Sequence, residues 1–166
     1  MSLSVAIRQR GGCAAPFGLR ADLRALDTVL ITLDHGHVGD RRLDAEIYAA
    51  LGWDVDCGPR ARLDDGAAVA RRRLGWRCRS PLAAGWEVLP QPTLDVGAAA
   101  RLVPWRWSWW CGVMDGLPRA WCREDVARAG RMPRYAETQR LTVALSLTVA
   151  ALHAHRQIIL QEMGHE

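Results

Sequence analysis

Apolar and polar residues alternate on either side of Asp115-Gly116, in the run WRWSWWCGVMDGLPRAW at positions 105–121. An Asp-Gly pair between two β-prone runs predicts a two-residue hairpin loop, because a type I′ turn needs positive φ at both central positions. With that loop, Met114 faces Leu117, Gly112 faces Arg119 and Cys111 faces Ala120. Trp110 then faces Trp121, Trp109 faces Cys122 and Ser108 faces Arg123. Side chains alternate across a strand, so the register sorts them into two faces. Trp105, Trp107, Trp109, Cys111, Val113, Ala120 and Cys122 form a predicted core face. Arg106, Ser108, Trp110, Arg119, Trp121 and Arg123 form the other. The opposed Trp110–Trp121 pair contributes roughly 0.2–1 kcal/mol as a cross-strand aromatic pair. A slip of one residue would exchange the two faces.

The remaining pattern is mostly helical. Leu19, Leu23, Leu26, Leu30 and Leu33 recur at helical spacing, although TVLITL at 28–33 fits a strand as well. Residues 41–51, RRLDAEIYAAL, predict an amphipathic helix with Leu43, Ile47, Tyr48, Ala50 and Leu51 inward. Asp40 is its candidate N-cap and Gly52 its stop. Residues 54–66 read as turn-rich, and 67–74 as a short helix exposing Arg71, Arg72 and Arg73. Short strands are predicted at 76–79 and 86–89, bounded by Pro81 and Pro90. Thr93 or Asp95 caps a helix through DVGAAARLV that Pro104 stops. A polar loop spans 124–135, and a last helix runs from about 136 to 161. Its stripe of Leu141, Ala144, Leu145, Thr148, Leu152, His155 and Ile159 is widened by Val143, Leu147, Ala151, Ala154 and Ile158, so it is buried on more than one side. The fold class is therefore α+β: a small antiparallel sheet built on the hairpin, helices packed on both sides, and a long C-terminal helix.

At 166 residues the chain is large enough for one domain, placed at 41–162, with 1–40 as a partly helical N-terminal arm. Every basic residue is Arg, which matches a GC-rich coding bias and weakens any argument that arginines were selected for phosphate. The net charge of +4 permits an acidic partner without demanding one. Cys13, Cys57, Cys78, Cys111 and Cys122 include no C-x-x-C, so free thiols in a reducing cytoplasm are expected. Cys111 and Cys122 share a hairpin face but lie diagonally, a placement that does not favour a disulfide. Cys57 and Cys78 have arginine-rich surroundings of the kind that lowers a thiol pKa. The start MSLSVAIRQRGG has too short an apolar stretch for a signal peptide, and 141–152 is too short to span a membrane. No cofactor is implied, because the glycines at 11–12, 36, 39 and 112–116 fit no phosphate loop.

Two groups carry candidate chemistry. Asp34, His35, His37 and Asp40 could chelate zinc, manganese or iron and activate water for hydrolysis. The same stretch also reads as a solvated loop, and further ligands would have to come from His153, His155 or His165. The second group is the Arg/Trp face of Arg106, Trp110, Arg119, Trp121 and Arg123. It suits stacking on bases or on a partner's side chains. It also suits burial of Trp110 and Trp121 beneath a second helix or loop, since a large apolar area is seldom left uncovered.

LDAEIYAALGW at 43–53, LPQPTLDVGAAARLVP at 89–104, the strand WRWSW and ALSLTVAALHAH at 144–155 resemble, in order and spacing, small phage and prophage proteins with a phage ABA sandwich domain. The resemblance covers 43–155, and it implies helices on both sides of a small antiparallel sheet. It brings no catalytic residues. The chain departs from the family pattern in its first forty residues and around 57–85. The expected function is that of a non-enzymatic phage or prophage accessory protein that binds a protein partner. A nucleic-acid module using the Arg/Trp face and a metal-dependent hydrolase using His35 and His37 are the alternatives.

Overall fold

The computed structural model describes residues 22–35, 40–59, 74–81, 85–125 and 132–164. Among these residues the fold is α+β, with four helices and two antiparallel three-stranded sheets. The first sheet orders β1 (Asp54–Pro59), β2 (Leu74–Arg79) and β3 (Glu87–Val88). The second orders β4 (Trp107–Met114), β5 (Leu117–Glu124) and β6 (Tyr135–Gln139). The helices are α1 (Leu23–Asp34), α2 (Arg41–Ala50), α3 (Val96–Ala100) and α4 (Val143–Glu162). Packing runs from the first sheet through α2 and α1 to α4 and the second sheet, with α3 against α4.

The hairpin forms in the register that Asp115-Gly116 predicts, from Met114–Leu117 down to Ser108–Arg123. Asp115 and Gly116 take φ of 53° and 77°, as a type I′ loop requires. The inner face is buried at Trp107, Trp109, Ala120 and Cys122, and α4 packs on it. Two expected core residues lie outside. Val113 stands at the loop end of the ladder and is exposed. Trp105 precedes β4, and Arg106 takes a left-handed φ of 67°, so strand alternation stops before reaching it. Trp105 is exposed and stacks on the Arg106 guanidinium, 4.2 Å from ring centroid to Cζ.

Caps explain the helix starts. Asp40 accepts from Arg42 N at 2.8 Å, and Asp95 accepts from Gly97 N at 2.8 Å. Asp22 caps α1 by accepting from Arg24 N at 2.8 Å. Residues 28–33 are therefore helical, and Leu26, Val29, Leu30 and Leu33 pack into the core. The first half of the turn-rich 54–66 run is strand β1, paired with β2. The predicted helix at 67–74 lies outside the described residues except Leu74, which opens β2.

The last helix begins later than its apolar stripe suggests. Residues 135–139 form β6, with Ala136 and Thr138 buried and Tyr135, Glu137 and Gln139 exposed. Thr142 caps α4 by accepting from Leu145 N at 3.1 Å, which leaves Leu141 outside the helix and exposed. By length and composition α4 could cross a membrane, but two thirds of its most apolar window is buried in the fold. Its buried polar residues stitch the layers together. Thr148 Oγ1 donates to Pro92 O at 2.7 Å, and Ser146 Oγ accepts from Arg140 N at 3.0 Å. Ser146 O in turn accepts from Thr138 Oγ1 at 2.6 Å. Such pairing matters, because a buried hydroxyl without a partner costs roughly 1–3 kcal/mol.

Candidate binding surface

Alternation assigns eleven residues to the outer face of the second sheet. Ser108, Trp110, Gly112 and Met114 come from β4, and Leu117, Arg119, Trp121 and Arg123 from β5. Tyr135, Glu137 and Gln139 come from β6, opposite Arg123, Trp121 and Arg119 respectively. The helix packed on this sheet, α4, lies on the other face. Trp110 and Trp121 are consequently half-buried, shielded by their neighbours on the sheet itself.

Local contacts shape those rings. A Cβ on Gly112 would sit 2.9 Å from Trp110 Cζ2, so the indole lies along its own strand over a bare glycine. Trp121 stands beside Tyr135, with centroids 6.2 Å apart and planes tilted by 32°. Arg123 Cζ lies 5.9 Å from the Trp121 centroid, a cation–π placement. Arg119 Nη1 approaches Met114 Sδ at 3.8 Å, while its Nε is buried with no hydrogen-bond partner. The Tyr135 hydroxyl donates to Glu137 Oε2 at 2.9 Å, and burial with that bond raises the tyrosine pKa. Ser108 Oγ donates to the Asp125 carboxylate at the far end.

The sequence identified five residues of this surface: Arg106, Trp110, Arg119, Trp121 and Arg123. The last four share the face, whereas Arg106 lies beyond the start of β4. Met114 and Leu117 were already on it by register but unrecognised as an extension. Tyr135, Glu137 and Gln139 were missed because β6 read as loop and helix. The signal was present, since YAETQ alternates with a period of two.

Three of the four predicted metal ligands have other partners. Asp34 pairs with Arg140, His35 Nδ1 lies 2.7 Å from Ile31 O, and Asp40 caps α2. His37 and His165 lie outside the described residues. His153 on α4 does come near Asp34, with Arg140, Arg156 and Asp27 around it; burial lowers its pKa and Asp34 opposes that. His155 is buried, and its Nε2 lies 2.8 Å from Leu102 O. No group of three or more His, Cys, Asp or Glu suited to a metal occurs among the described residues. The arginines do not activate Cys78: burial pushes its thiol up to about 12, Glu87 adds to this, and Arg101 and Arg41 do not compensate. Cys57, Cys78, Cys111 and Cys122 are free thiols, and burial also raises Cys111 and Cys122.

No family model, no curated protein and no solved structure matches this chain. The site therefore has to be read from its own chemistry.

Proposed function

We propose that the chain is a non-enzymatic accessory protein of a phage or prophage, acting by binding, and that the outer face of the second sheet is its binding surface. The observation carrying the reading is the arrangement of half-buried Trp110 and Trp121 with Arg119 and Arg123 on a face turned away from α4. Aromatic residues, methionine and arginine are the side chains enriched at binding interfaces. The non-enzymatic part is supported by how reactive groups are used. Asp40 caps a helix, Asp34 holds Arg140, and Cys78 is driven toward its neutral form. The phage or prophage setting, and with it a cytoplasmic location in the host, is supported by the family resemblance of 43–155. Met114 and Leu117, exposed at the hairpin end, extend the face.

Photo-crosslinking in the expressing cell tests the reading. Benzoylphenylalanine replaces Leu117 on the second sheet or Val88 on the first, both exposed. Discrete adducts are expected at position 117 and none at 88. Equal adducts at both positions, or none at 117, would refute it.

A further inference from the structure

We infer that the outer face of the second sheet takes single-stranded nucleic acid. This rests on the reading of that face as the binding surface and names its occupant. The decisive observation is how arginines are used across the molecule. Arg41, Arg42, Arg77, Arg79, Arg101, Arg134, Arg140 and Arg156 each lie within 4.0 Å of a carboxylate. The described arginines outside that set are Arg24 on α1, Arg106 just before β4, and Arg119 and Arg123 on the hairpin. Arg119 and Arg123 thus share a face with two tryptophans and a tyrosine that are half-buried or exposed. A coding bias toward arginine explains the residue type but not this sorting.

The spacing suits an extended strand. Arg119, Trp121 and Arg123 are successive outward residues of β5, about 7 Å apart at each step. That is comparable to the separation of successive phosphates along an extended nucleic-acid strand. Guanidinium groups then meet backbone oxygens, while Trp110, Trp121 and Tyr135 offer ring faces to unpaired bases. Paired bases have their faces already stacked, so the platform discriminates against duplex. The carboxylates on and around the face are Glu137 on the edge strand, Asp115 in the loop and Asp125 at the opposite end. They border the Arg–Trp–Arg row, and Glu137 is the one that opposes binding most directly, because it stands opposite Trp121.

The test is a titration of the full chain with a short labelled oligothymidylate, read by tryptophan quenching and anisotropy at low and physiological salt. Saturable binding that persists at physiological salt and exceeds binding to the matching duplex is expected. Trp121→Ala should weaken it by roughly 5–150-fold, the loss of one base–aromatic stack, and Trp121→Phe should restore most of it. Arg123→Ala, at an exposed position where folding is safe, should weaken binding and reduce the dependence on log salt by about 0.7. Glu137→Gln should tighten it. Absence of binding at low salt, equal affinity for duplex, or indifference to both Trp121→Ala and Arg123→Ala overturns the inference. If the oligonucleotide fails while position 117 crosslinks to a protein, the occupant is a protein and the surface itself stands. If both fail, the surface falls too.

Discussion

Both sheets set arginine beside tryptophan and use it in opposite ways. On the first sheet, Asp54 lies directly across from Arg79 and Asp56 across from Arg77. Their ion pairs close at 2.6 Å and 2.5 Å, and Trp86 covers both guanidinium groups at 5.1 Å and 4.8 Å. On the second sheet, Arg119 lies between Gly112 and Gln139, and Arg123 between Ser108 and Tyr135. No carboxylate faces either one in register. The difference lies in the residue across the ladder. Opposed charges on neighbouring strands satisfy each other for roughly 0.2–1 kcal/mol and leave little for a ligand. Arginines opposite Gly, Ser, Gln and Tyr keep their charge available.

The largest expected effect comes from reversing charge on one face at a time. Arg119→Glu with Arg123→Glu should reduce oligonucleotide binding more than about hundredfold at low salt, because two phosphate contacts become repulsions. Arg77→Glu with Arg79→Glu places four carboxylates together across β1 and β2. That variant should lose about 1 kcal/mol of stability in urea while binding as the parent does. Equal loss of binding from both double variants would mean that net charge alone matters, and the comparison would collapse.

Acid weakens the scaffold through a buried histidine of α4. Burial lowers the His155 pKa to about 4, below its unfolded value of about 6.5. The unfolded chain therefore takes up the proton first as pH falls. Stability is full above about pH 6.5 and declines toward pH 4 by at most about 1.4 kcal/mol per pH unit. Asp44 acts in the opposite sense, since burial raises its pKa and the folded state gains its proton first. His155→Gln, which keeps a donor for Leu102 O, should flatten this decline in urea melts run at stepped pH. An unchanged slope would place the acid sensitivity elsewhere.

These contrasts also show what the sequence made legible. The hairpin register followed from one dipeptide, because Asp-Gly pins the loop and alternation propagates from it. The Arg/Trp face was readable for the same reason. What could not be read was which face α4 covers, since that depends on where it docks from residues far along the chain. β6 was hidden because YAETQ is short and runs straight into an apolar helix. β1 was hidden because Asp, Gly and Pro in DVDCGP signal turns, while its pairing with LGWRCR is a long-range event. Asp34 and Asp40 look alike in sequence, yet one is an ion-pair partner and the other a cap.

A smaller effect tests the shape of the binding face. Gly112→Ala introduces a Cβ 2.9 Å from Trp110 Cζ2, so the indole must swing off the strand. Overpacking of this kind costs about 1–3 kcal/mol, and the ring sits at the surface, so the low end applies. A shifted tryptophan emission and several-fold weaker oligonucleotide binding should accompany the loss. A variant with unchanged emission would show that the indole does not rest on the glycine.

The smallest change converts the second sheet toward the first. Gln139 lies across from Arg119 on β6, and Gln139→Glu adds a carboxylate of the same size at that rung. The new pair reproduces the Asp54–Arg79 arrangement and should raise stability by about 0.2–1 kcal/mol in urea. The same substitution should weaken oligonucleotide binding several-fold, most strongly at low salt, because Arg119 would then be held within the sheet. Stability and binding must move in opposite directions if the partner across the ladder decides whether an arginine is free. A gain in stability with unchanged binding would mean that Arg119 takes no part in the surface, and its contact with Met114 Sδ would be its whole role.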